Sequence, residues 1–180
     1  MRYKKLTGII LKKQNYREAD QIVSVWTREA GKVRVLAKSL RKPASKLSYA
    51  MQDLSEAEIH CAGNHLPTLI GAKPIRQFKS LTQDLKKTAI AFYAAELMLN
   101  MTADEHPHRQ AYDLLSDFLC QLDEQTVGGH YAFIDGFALA LAQVLGFGVP
   151  KNAHSHRDVN QFMEHILERS VKSELFLMQI

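Results

Sequence analysis

The spacing of the apolar residues changes near residue 80, and this change restricts the folds open to the 180-residue chain. Before residue 80, short apolar runs alternate with polar residues at a period close to two, which is typical of strands. After it, apolar residues recur every three or four positions, which is typical of amphipathic helices. The sequence therefore predicts a β domain in residues 1–79 and an all-helical domain in residues 80–180.

Five short strands are predicted in the β domain, and Gly8 is the candidate for a bulge or bend in the first of them. A polar turn is predicted at residues 15–20 and a long connection after the third strand. Such a pattern fits a small closed barrel, and the five-stranded OB-fold, which binds oligonucleotides, is the candidate. The predicted strands are residues 5–13, 21–27, 53–61 and 66–72, with the third strand following a hairpin at residues 29–32.

Four helices are predicted in the second domain. The first begins at a capping box of Ser80 and Gln83, and the second opens at Pro107. The third, about residues 131–145, follows a break at residues 128–129 and is apolar nearly all round, so we expect it to be the buried centre of a bundle. The apolar positions of the other three are Leu85, Ala89, Tyr93, Leu97 and Met101, then Ala111, Leu114, Leu115, Phe118, Leu119 and Leu122, then Val159, Phe162, Met163, Ile166, Leu167 and Val171.

Positive charge is concentrated at the start of the chain. Residues 1–46 contain 13 Lys/Arg and three Asp/Glu, a net charge of +10, whereas residues 47–180 contain ten and 16, a net charge of −6. A basic quarter attached to a mildly acidic body indicates a module that binds a polyanion. Because membranes and acidic proteins are also polyanions, charge alone does not identify DNA.

A basic loop follows the third strand and is the most specific candidate site. An OB-fold binds nucleic acid on this side of the barrel, and a cluster of cations there would give affinity that depends on salt rather than on sequence. The alternative is a solvated cationic loop. Tyr16 and Tyr49 are candidates for stacking on bases, whereas Trp26 is predicted to be core. The candidate DNA-binding cations are Lys12, Lys13, Arg17, Lys32, Arg34, Lys38, Arg41, Lys42 and Lys46.

No motif indicates an enzyme. The chain has no phosphate-binding loop, nucleophile elbow or zinc-protease motif, and no cofactor is expected. Two H-x-H pairs, His106 with His108 and His154 with His156, would ligate a metal only if folding joined them. The alternative is that all four are solvated loop histidines, and no metal site is predicted.

The remaining features predict a cytoplasmic protein. Cys61 and Cys120 lie far apart in the sequence, which indicates two free thiols rather than a disulfide framework or a zinc site. The apolar patch at residues 9–11 is too short for a signal peptide and ends at a pair of lysines. No apolar run approaches the roughly 18 residues that a membrane-spanning helix needs.

Three stretches of the chain resemble the RecO family of bacterial recombination mediators. Residues 8–60 read GIILKKQNYREADQIVSVWTREAGKVRVLAKSLRKPASKLSYAMQDLSEAEIH, and contain Y-x-E-x-D, T-x-x-x-G-K and A-K-x-x-R-K-P in order. The shorter matches are GFALALAQVLGFGV at residues 136–149 and VKSELF at residues 171–176. The resemblance implies an N-terminal OB-fold and a C-terminal helical domain.

The resemblance also implies a function. A RecO-like protein binds single- and double-stranded DNA, anneals complementary strands, and acts with RecR. It engages single-strand binding protein on DNA and helps RecA to load during repair. None of these activities needs a covalent step. Two alternatives stay open, a reduced RecO-like scaffold that acts mainly through protein contacts and an OB-fold protein that binds RNA.

The chain departs from the family pattern at two places. Relatives carry an insertion between the positions of Val149 and Asn160, which in some members holds a four-cysteine zinc module, and this chain lacks it. Relatives also commonly have an arginine just before the position of Phe137, where this chain has Asp135 and Gly136. If that arginine receives the acidic tail of single-strand binding protein, Arg169 and Lys172 are the predicted replacements here.

Overall fold

The computed structural model describes residues 3–124, 130–150, 153 and 155–173. They divide into two compact units, which we call the barrel unit (Met1–Gln77 with Thr102–Arg109) and the helical unit (Phe78–Met101 with Gln110–Ile180). The predicted domain boundary at residues 79 and 80 stays a prediction. The elements are β1 (Tyr3–Tyr16), β2 (Asp20–Thr27), β3 (Gly31–Ala37), β4 (Glu56–Ala62), β5 (Thr68–Arg76), α1 (Lys79–Gln83), α2 (Leu85–Met101), α3 (Arg109–Glu124), α4 (His130–Val144) and α5 (His156–Leu167).

The five strands close into a barrel in the order β1-β2-β3-β5-β4, with β4 pairing back onto β1. All neighbours are antiparallel except β3 and β5, which run parallel and pair only at Leu36 and Thr68. This ring confirms the predicted five-stranded OB-fold. Alternate residues point into the barrel and form a buried core, which includes Leu6, Ile10, Val23, Val25, Val33, Val35, Ile59 and Leu69.

Strand β1 is long enough to pair with two neighbours, β4 through its first half and β2 through its second. Its bulge lies at Leu11, between Ile10 and Lys12, so the bulge predicted at Gly8 is wrong. Gly8 has a different role, since a Cβ atom there would lie 2.5 Å from Val25 Cγ1. The neighbouring strand is simply too close for a side chain.

Strand ends differ from the predicted ones where pairing or backbone conformation overrides the apolar pattern. β1 continues through Tyr16, which was predicted as turn, because that residue pairs with Asp20. β4 begins at Glu56 rather than Asp53, and the intervening Leu54 has left-handed backbone with φ 63°. β5 begins at Thr68 and extends to Arg76, later at both ends than predicted.

The helical unit contains the predicted helices, with different starting points. Asp84 rather than Ser80 caps α2, since its carboxylate accepts the backbone N–H groups of the first turn. The capping box predicted for Ser80 and Gln83 is therefore wrong, and Ser80 instead donates its hydroxyl to the carbonyl of Asp123. α3 begins at Arg109, beyond the predicted start at Pro107.

Burial in the helical unit is more one-sided than the sequence predicts. α4 buries Ile134, Phe137 and Leu141 but exposes Ala132, Gly136 and Gln143, so it is not the fully buried centre of a bundle that its apolar composition predicts. Leu85, predicted to face inward at the start of α2, is exposed. The predicted break at residues 128–129, His154 and the end of the 171–176 motif lie outside the described residues. Within the described residues, no helix combines the length and hydropathy that crossing a bilayer requires.

Candidate nucleic-acid interface

The loop between β3 and β4 is held on the barrel by its own apolar residues. Leu40 and Met51 are buried in the barrel core, and Leu47 packs against it. Anchoring these positions leaves the polar residues of the loop on its outer side. The cations Lys38, Arg41, Lys42 and Lys46 are accordingly exposed. The loop thus presents its basic residues on a fixed support.

Three hydrogen bonds join the start of this loop to the β1–β2 turn, residues 17–19, and to Asp20 at the start of β2. The backbone N–H of Ser39 donates to Asp20 Oδ1 at 2.7 Å. The backbone N–H of Arg41 donates to the carbonyl of Ala19 at 3.0 Å, and its Nη1 donates to the carbonyl of Glu18 at 3.0 Å. Cations from two separate segments therefore share one surface.

We call Arg17, Lys38, Arg41 and Lys42 the basic surface. In the part of the chain that the structure describes, no carboxylate lies within ion-pair distance of any of the four. The guanidinium of Arg17 lies over the ring of Tyr16, 5.2 Å from its centroid. Like charges held together without a counter-charge create a positive potential that favours a polyanion.

The two tyrosines predicted to stack on bases are both on loops or strand ends of the barrel unit. Tyr16 ends β1 beside the turn, and Tyr49 lies in the β3–β4 loop with 61% of its surface exposed. The side chain of Gln77 donates a hydrogen bond to the backbone carbonyl of Tyr49, so this contact does not involve the tyrosine ring. Trp26 is fully buried, as predicted, and has no ring face open to a base.

Lys12 and Lys13, neighbours on β1, have different environments. Lys12 is exposed. Lys13 donates to the carbonyl of Met51 at 3.1 Å and pairs with Asp53 at 3.1 Å, and only 22% of its side chain is exposed. It holds the far end of the β3–β4 loop against the barrel. Its charge is partly neutralised before any ligand arrives.

Lys32 and Arg34 on β3 are both paired with Asp104. Lys32 Nζ lies 3.3 Å from one carboxylate oxygen, and Arg34 Nη2 lies 3.4 Å from the other. Lys32 is nearly buried and also donates to the carbonyl of Thr102 at 2.6 Å. This carboxylate could not be predicted as a partner from the sequence, because it lies about 70 positions further along the chain.

Arg169 and Lys172 lie beside Glu96 in the helical unit. Glu96 accepts hydrogen bonds from the backbone N–H groups of Lys172 and Ser173, at 3.0 and 2.8 Å, and from the hydroxyl of Ser173. Burial acts to raise the pKa of Glu96, but these hydrogen bonds and the charge of Arg169 outweigh it and lower the pKa. An acidic peptide at this place would meet an existing carboxylate.

A cleft of about 400 Å³, which we call the helical cleft, opens between α3 and α4. Its lining includes the aromatic rings of Phe118, Phe133 and Phe137, with Phe118 and Phe137 centroids 4.5 Å apart. Asp117 is the charged residue of that lining, and Gly136 leaves its wall open. Gly136 immediately precedes Phe137 and lies at the position where the resemblance to the RecO family predicts an arginine. The position is recognisable in the sequence, whereas the cleft is not, because its two walls come from different helices.

The histidines are separated into different surroundings. His106 contacts the carbonyl of Asp104 through Nδ1 at 2.8 Å. His156 pairs through Nδ1 with Asp135 at 2.6 Å and stacks on Tyr131. Among the residues that the structure describes, no three His, Cys, Asp or Glu side chains are grouped closely enough to hold a metal ion.

Fold and surface together define an OB-fold protein with a helical extension and a basic surface on its barrel. Two family models match nearly the whole chain. The one described as "Recombination protein O N terminal" matches residues 1–78, and "Recombination protein O C terminal" matches residues 82–174. The chain belongs to the RecO family.

Curated relatives from distant bacteria agree with this assignment. DNA repair protein RecO of Listeria welshimeri is 36% identical over 121 residues, which cover 67% of this chain and 48% of the relative. The protein of the same name in Anaeromyxobacter dehalogenans is 36% identical over 122 residues, 66% of this chain and 48% of that relative. The one in a Nostoc species is 34% identical over 143 residues, 78% and 48% of the two chains. The chain spans about half the length of these relatives.

Proposed function

We propose that this chain is a non-enzymatic mediator of DNA repair and recombination that binds single- and double-stranded DNA. The observation that carries the proposal is the basic surface, four exposed cations without a carboxylate partner in the described residues, on an OB barrel of the RecO family. Lys12 and Lys46 extend the surface. Lys13, Lys32 and Arg34 are the weaker members of the proposed interface, because each is already paired with a carboxylate.

Binding at such a surface is driven by the phosphate backbone. Each phosphate that a lysine or arginine neutralises releases condensed counterions, so affinity falls as salt concentration rises. Tyr16 and Tyr49 add stacking on exposed bases, which is tolerant of sequence. Neutralising the backbones of two strands reduces their mutual repulsion, and this is the physical basis on which we propose strand annealing.

The proposed partners are those of a RecO-like pathway: a RecR-like protein, single-strand binding protein, and RecA, whose loading the chain would assist. The acidic tail of single-strand binding protein is proposed to meet Arg169 and Lys172. The helical cleft supplies apolar surface for a protein contact, and the charge in its lining is the carboxylate of Asp117. We therefore expect weaker binding of an acidic tail in the cleft than an arginine at position 136 would give.

The test of the DNA site is the triple variant Lys38→Ala/Arg41→Ala/Lys42→Ala. Binding of a fluorescein-labelled oligothymidine is followed by anisotropy between about 50 and 200 mM salt. We expect at least tenfold weaker binding, and a slope of log affinity against log salt that is smaller by about 2, since each single-strand phosphate contact contributes about 0.7. Binding equal to that of the wild type would refute the site.

A matched control removes the same charge elsewhere. Lys73, Lys79 and Lys86 are exposed cations on β5, α1 and the first turn of α2. Their triple alanine variant should retain DNA affinity within about twofold, because a general loss of three positive charges is largely screened at these salt concentrations. A loss as large as in the loop variant would mean that net charge, and not the basic surface, determines binding.

Two further measurements distinguish the proposal from its alternatives. Competition between DNA and RNA strands of matched sequence tests for an RNA-binding OB protein, which would prefer RNA. Annealing of complementary strands, bare and coated with single-strand binding protein, tests for a scaffold. A mediator anneals bare strands and loses this in the loop variant, whereas a scaffold acting through protein contacts does not anneal them.

A further inference from the structure

Asp104 is held in a fixed position against β3 by its own segment of the barrel unit. The backbone N–H of Glu105 donates to the carbonyl of Lys32 at 2.9 Å, and residues 32 and 104 form a parallel bridge. The segment continues directly over Gly31, where a Cβ atom would lie 2.2 Å from the carbonyl oxygen of His106. The carboxylate is therefore part of the barrel's surface, although it is remote in sequence.

This single carboxylate bridges two cations. Its two oxygens lie 3.3 Å from Lys32 Nζ and 3.4 Å from Arg34 Nη2. Lys32 and Arg34 project from the same face of β3, since Val33 between them points into the core. An anionic oxygen pair between two basic groups is the arrangement in which a phosphate would bind. Asp104 occupies that arrangement from within the chain.

The backbone of β3 is open at the same place. Leu36 N–H donates to the carbonyl of Pro67, and the carbonyl of Lys32 accepts from Glu105, so residues 32 and 36 both direct their polar groups away from β2. Because this direction alternates along a strand, Arg34 midway between them directs its N–H group the same way. The backbone of β3 at Arg34 therefore faces a cleft, which Arg34 also lines.

This cleft, which we call the β3 cleft, has a volume of about 430 Å³ and is large enough for a phosphodiester group. Its basic lining residues are Lys4, Lys32 and Arg34, and its acidic ones are Asp104 and Glu105. Asn64 and His65 from the β4–β5 loop complete the polar rim. The two carboxylates offset most of the positive charge of the three basic residues.

We propose that Asp104 is a specificity-determining residue that excludes backbone phosphates from the β3 cleft and so restricts nucleic acid to the basic surface. The proposal rests on the proposed function and deepens it. A tethered carboxylate competes with phosphate at high effective concentration. The pair with Arg34 is half-exposed and contributes little to stability. The nearly buried Lys32 keeps its hydrogen bond to the carbonyl of Thr102 when the charge of Asp104 is removed, so we expect the variant to fold.

The test is Asp104→Asn, which keeps the shape of the side chain and removes its charge. We expect affinity for a labelled oligothymidine to rise about threefold or more at about 0.1 M salt, and the salt slope to steepen by about 1, as for one or two added phosphate contacts. Asp117→Asn on α3 is the control, because it removes one negative charge from an exposed position outside the barrel unit. Equal effects of the two variants would overturn the proposal.

Arg34→Gln provides a second test, and the single variant does not depend on the stability of the Asp104 variant. Because Arg34 is already paired with Asp104, Arg34→Gln alone should alter DNA affinity less than twofold. In an Asp104→Asn/Arg34→Gln double variant, the loss of Arg34 should cancel the increase in affinity that Asp104→Asn causes. A large loss from Arg34→Gln alone would mean that phosphate, not Asp104, holds this arginine, and would overturn the inference.

The loop variant separates the two proposals. If Lys38→Ala/Arg41→Ala/Lys42→Ala binds DNA as the wild type does, the proposed site itself has failed. If that variant loses binding while Asp104→Asn matches Asp117→Asn, the basic surface stands and only the role of Asp104 is refuted. Both measurements use the full chain and the same oligothymidine.

Discussion

Burial determines the chemistry of Cys61, a residue of β4 whose side chain points into the barrel core. Desolvation raises the pKa of its thiol to about 11, and the nearby charge of Lys4 offsets only part of that effect. The thiolate is the reactive form, so little of it exists at neutral or mildly alkaline pH. Cys61 is thus a core residue whose thiol is unreactive in the folded protein.

We expect a Cys120→Ser variant, in which Cys61 is the remaining thiol, to resist a thiol-specific disulfide reagent at about pH 8. Reaction should require unfolding in urea, after which one thiol per chain is titrated. The reciprocal Cys61→Ser variant reports the half-buried Cys120 as a control. Complete reaction of the folded Cys120→Ser variant within minutes would contradict the burial of Cys61 in the barrel core.

The role of each basic residue depends on whether a carboxylate lies beside it, and this was the part of the site that sequence could not supply. The residue types and the loop that carries them were predictable from charge and strand pattern. The partners were not, since Asp53 meets Lys13 across 40 positions and Asp104 meets Lys32 across 72. Only the closed barrel brings such residues together.

At the scale of the elements, Gly31 in the β2–β3 hairpin meets two separate requirements, one of backbone conformation and one of packing. The sequence predicts a hairpin at residues 29–32, and Gly31 within it has the positive φ, 68°, that tight turns favour in glycine. The second requirement is the packing of His106, whose carbonyl leaves no room for a side chain. The hairpin and the segment that carries Asp104 therefore depend on the same residue.

We expect Gly31→Ala to lower the free energy of unfolding by about 2 kcal/mol or more, because it combines a strained φ with a steric clash against backbone. Urea denaturation followed by the fluorescence of Trp26, the single tryptophan, measures this in the barrel unit. Gly71→Ala on β5 is the control, since a Cβ atom there has ordinary contacts, 3.7 Å from His60. A loss no larger than in that control would exclude the clash.

Element types were predictable, and element ends were not. Period-two and period-3.6 patterns identified five strands and four main helices because burial of one face requires those spacings. The ends depend on single hydrogen bonds, as with Asp84 at the start of α2, or on capping boxes such as Ser155 with Asp158 at α5. Because polar residues that can cap a helix are common in loops, the sequence alone does not show which of them is the cap.

At the scale of the whole molecule, charge and family assignment divide the chain at similar places. The residues with net charge +10 lie within the first family match, residues 1–78, and most of the acidic residues lie beyond it. A polyanion is therefore attracted to the barrel unit in preference to the helical unit. This asymmetry explains why the proposed DNA contacts and the proposed protein contacts fall on different units.

The helical unit contains hydrogen bonds between residues far apart in sequence, and those of Glu96 are among them. On α2, Glu96 accepts the hydrogen bonds of Lys172 and Ser173 and so fixes the segment after α5 to α2. Its lowered pKa means that the folded state favours the charged carboxylate. This contribution to stability is fully present above the ordinary glutamate pKa of 4.5 and is lost as pH falls through the lower, folded-state value.

We expect Glu96→Gln to unfold more easily than the wild type at pH 7, by about 1 kcal/mol after allowance for partial exposure, because a charged acceptor is replaced by a neutral one. The difference should shrink as pH falls below about 4.5, where the carboxylate of the unfolded chain is protonated first, and should be lost once the carboxylate of the folded chain is protonated too. Urea denaturation followed by circular dichroism at about pH 7 and at about pH 3.5 measures both effects. Asp117→Asn, which removes an exposed charge, should show neither. A difference that stayed constant across this pH range would mean that the packing of the side chain, and not its charge, holds the segment to α2.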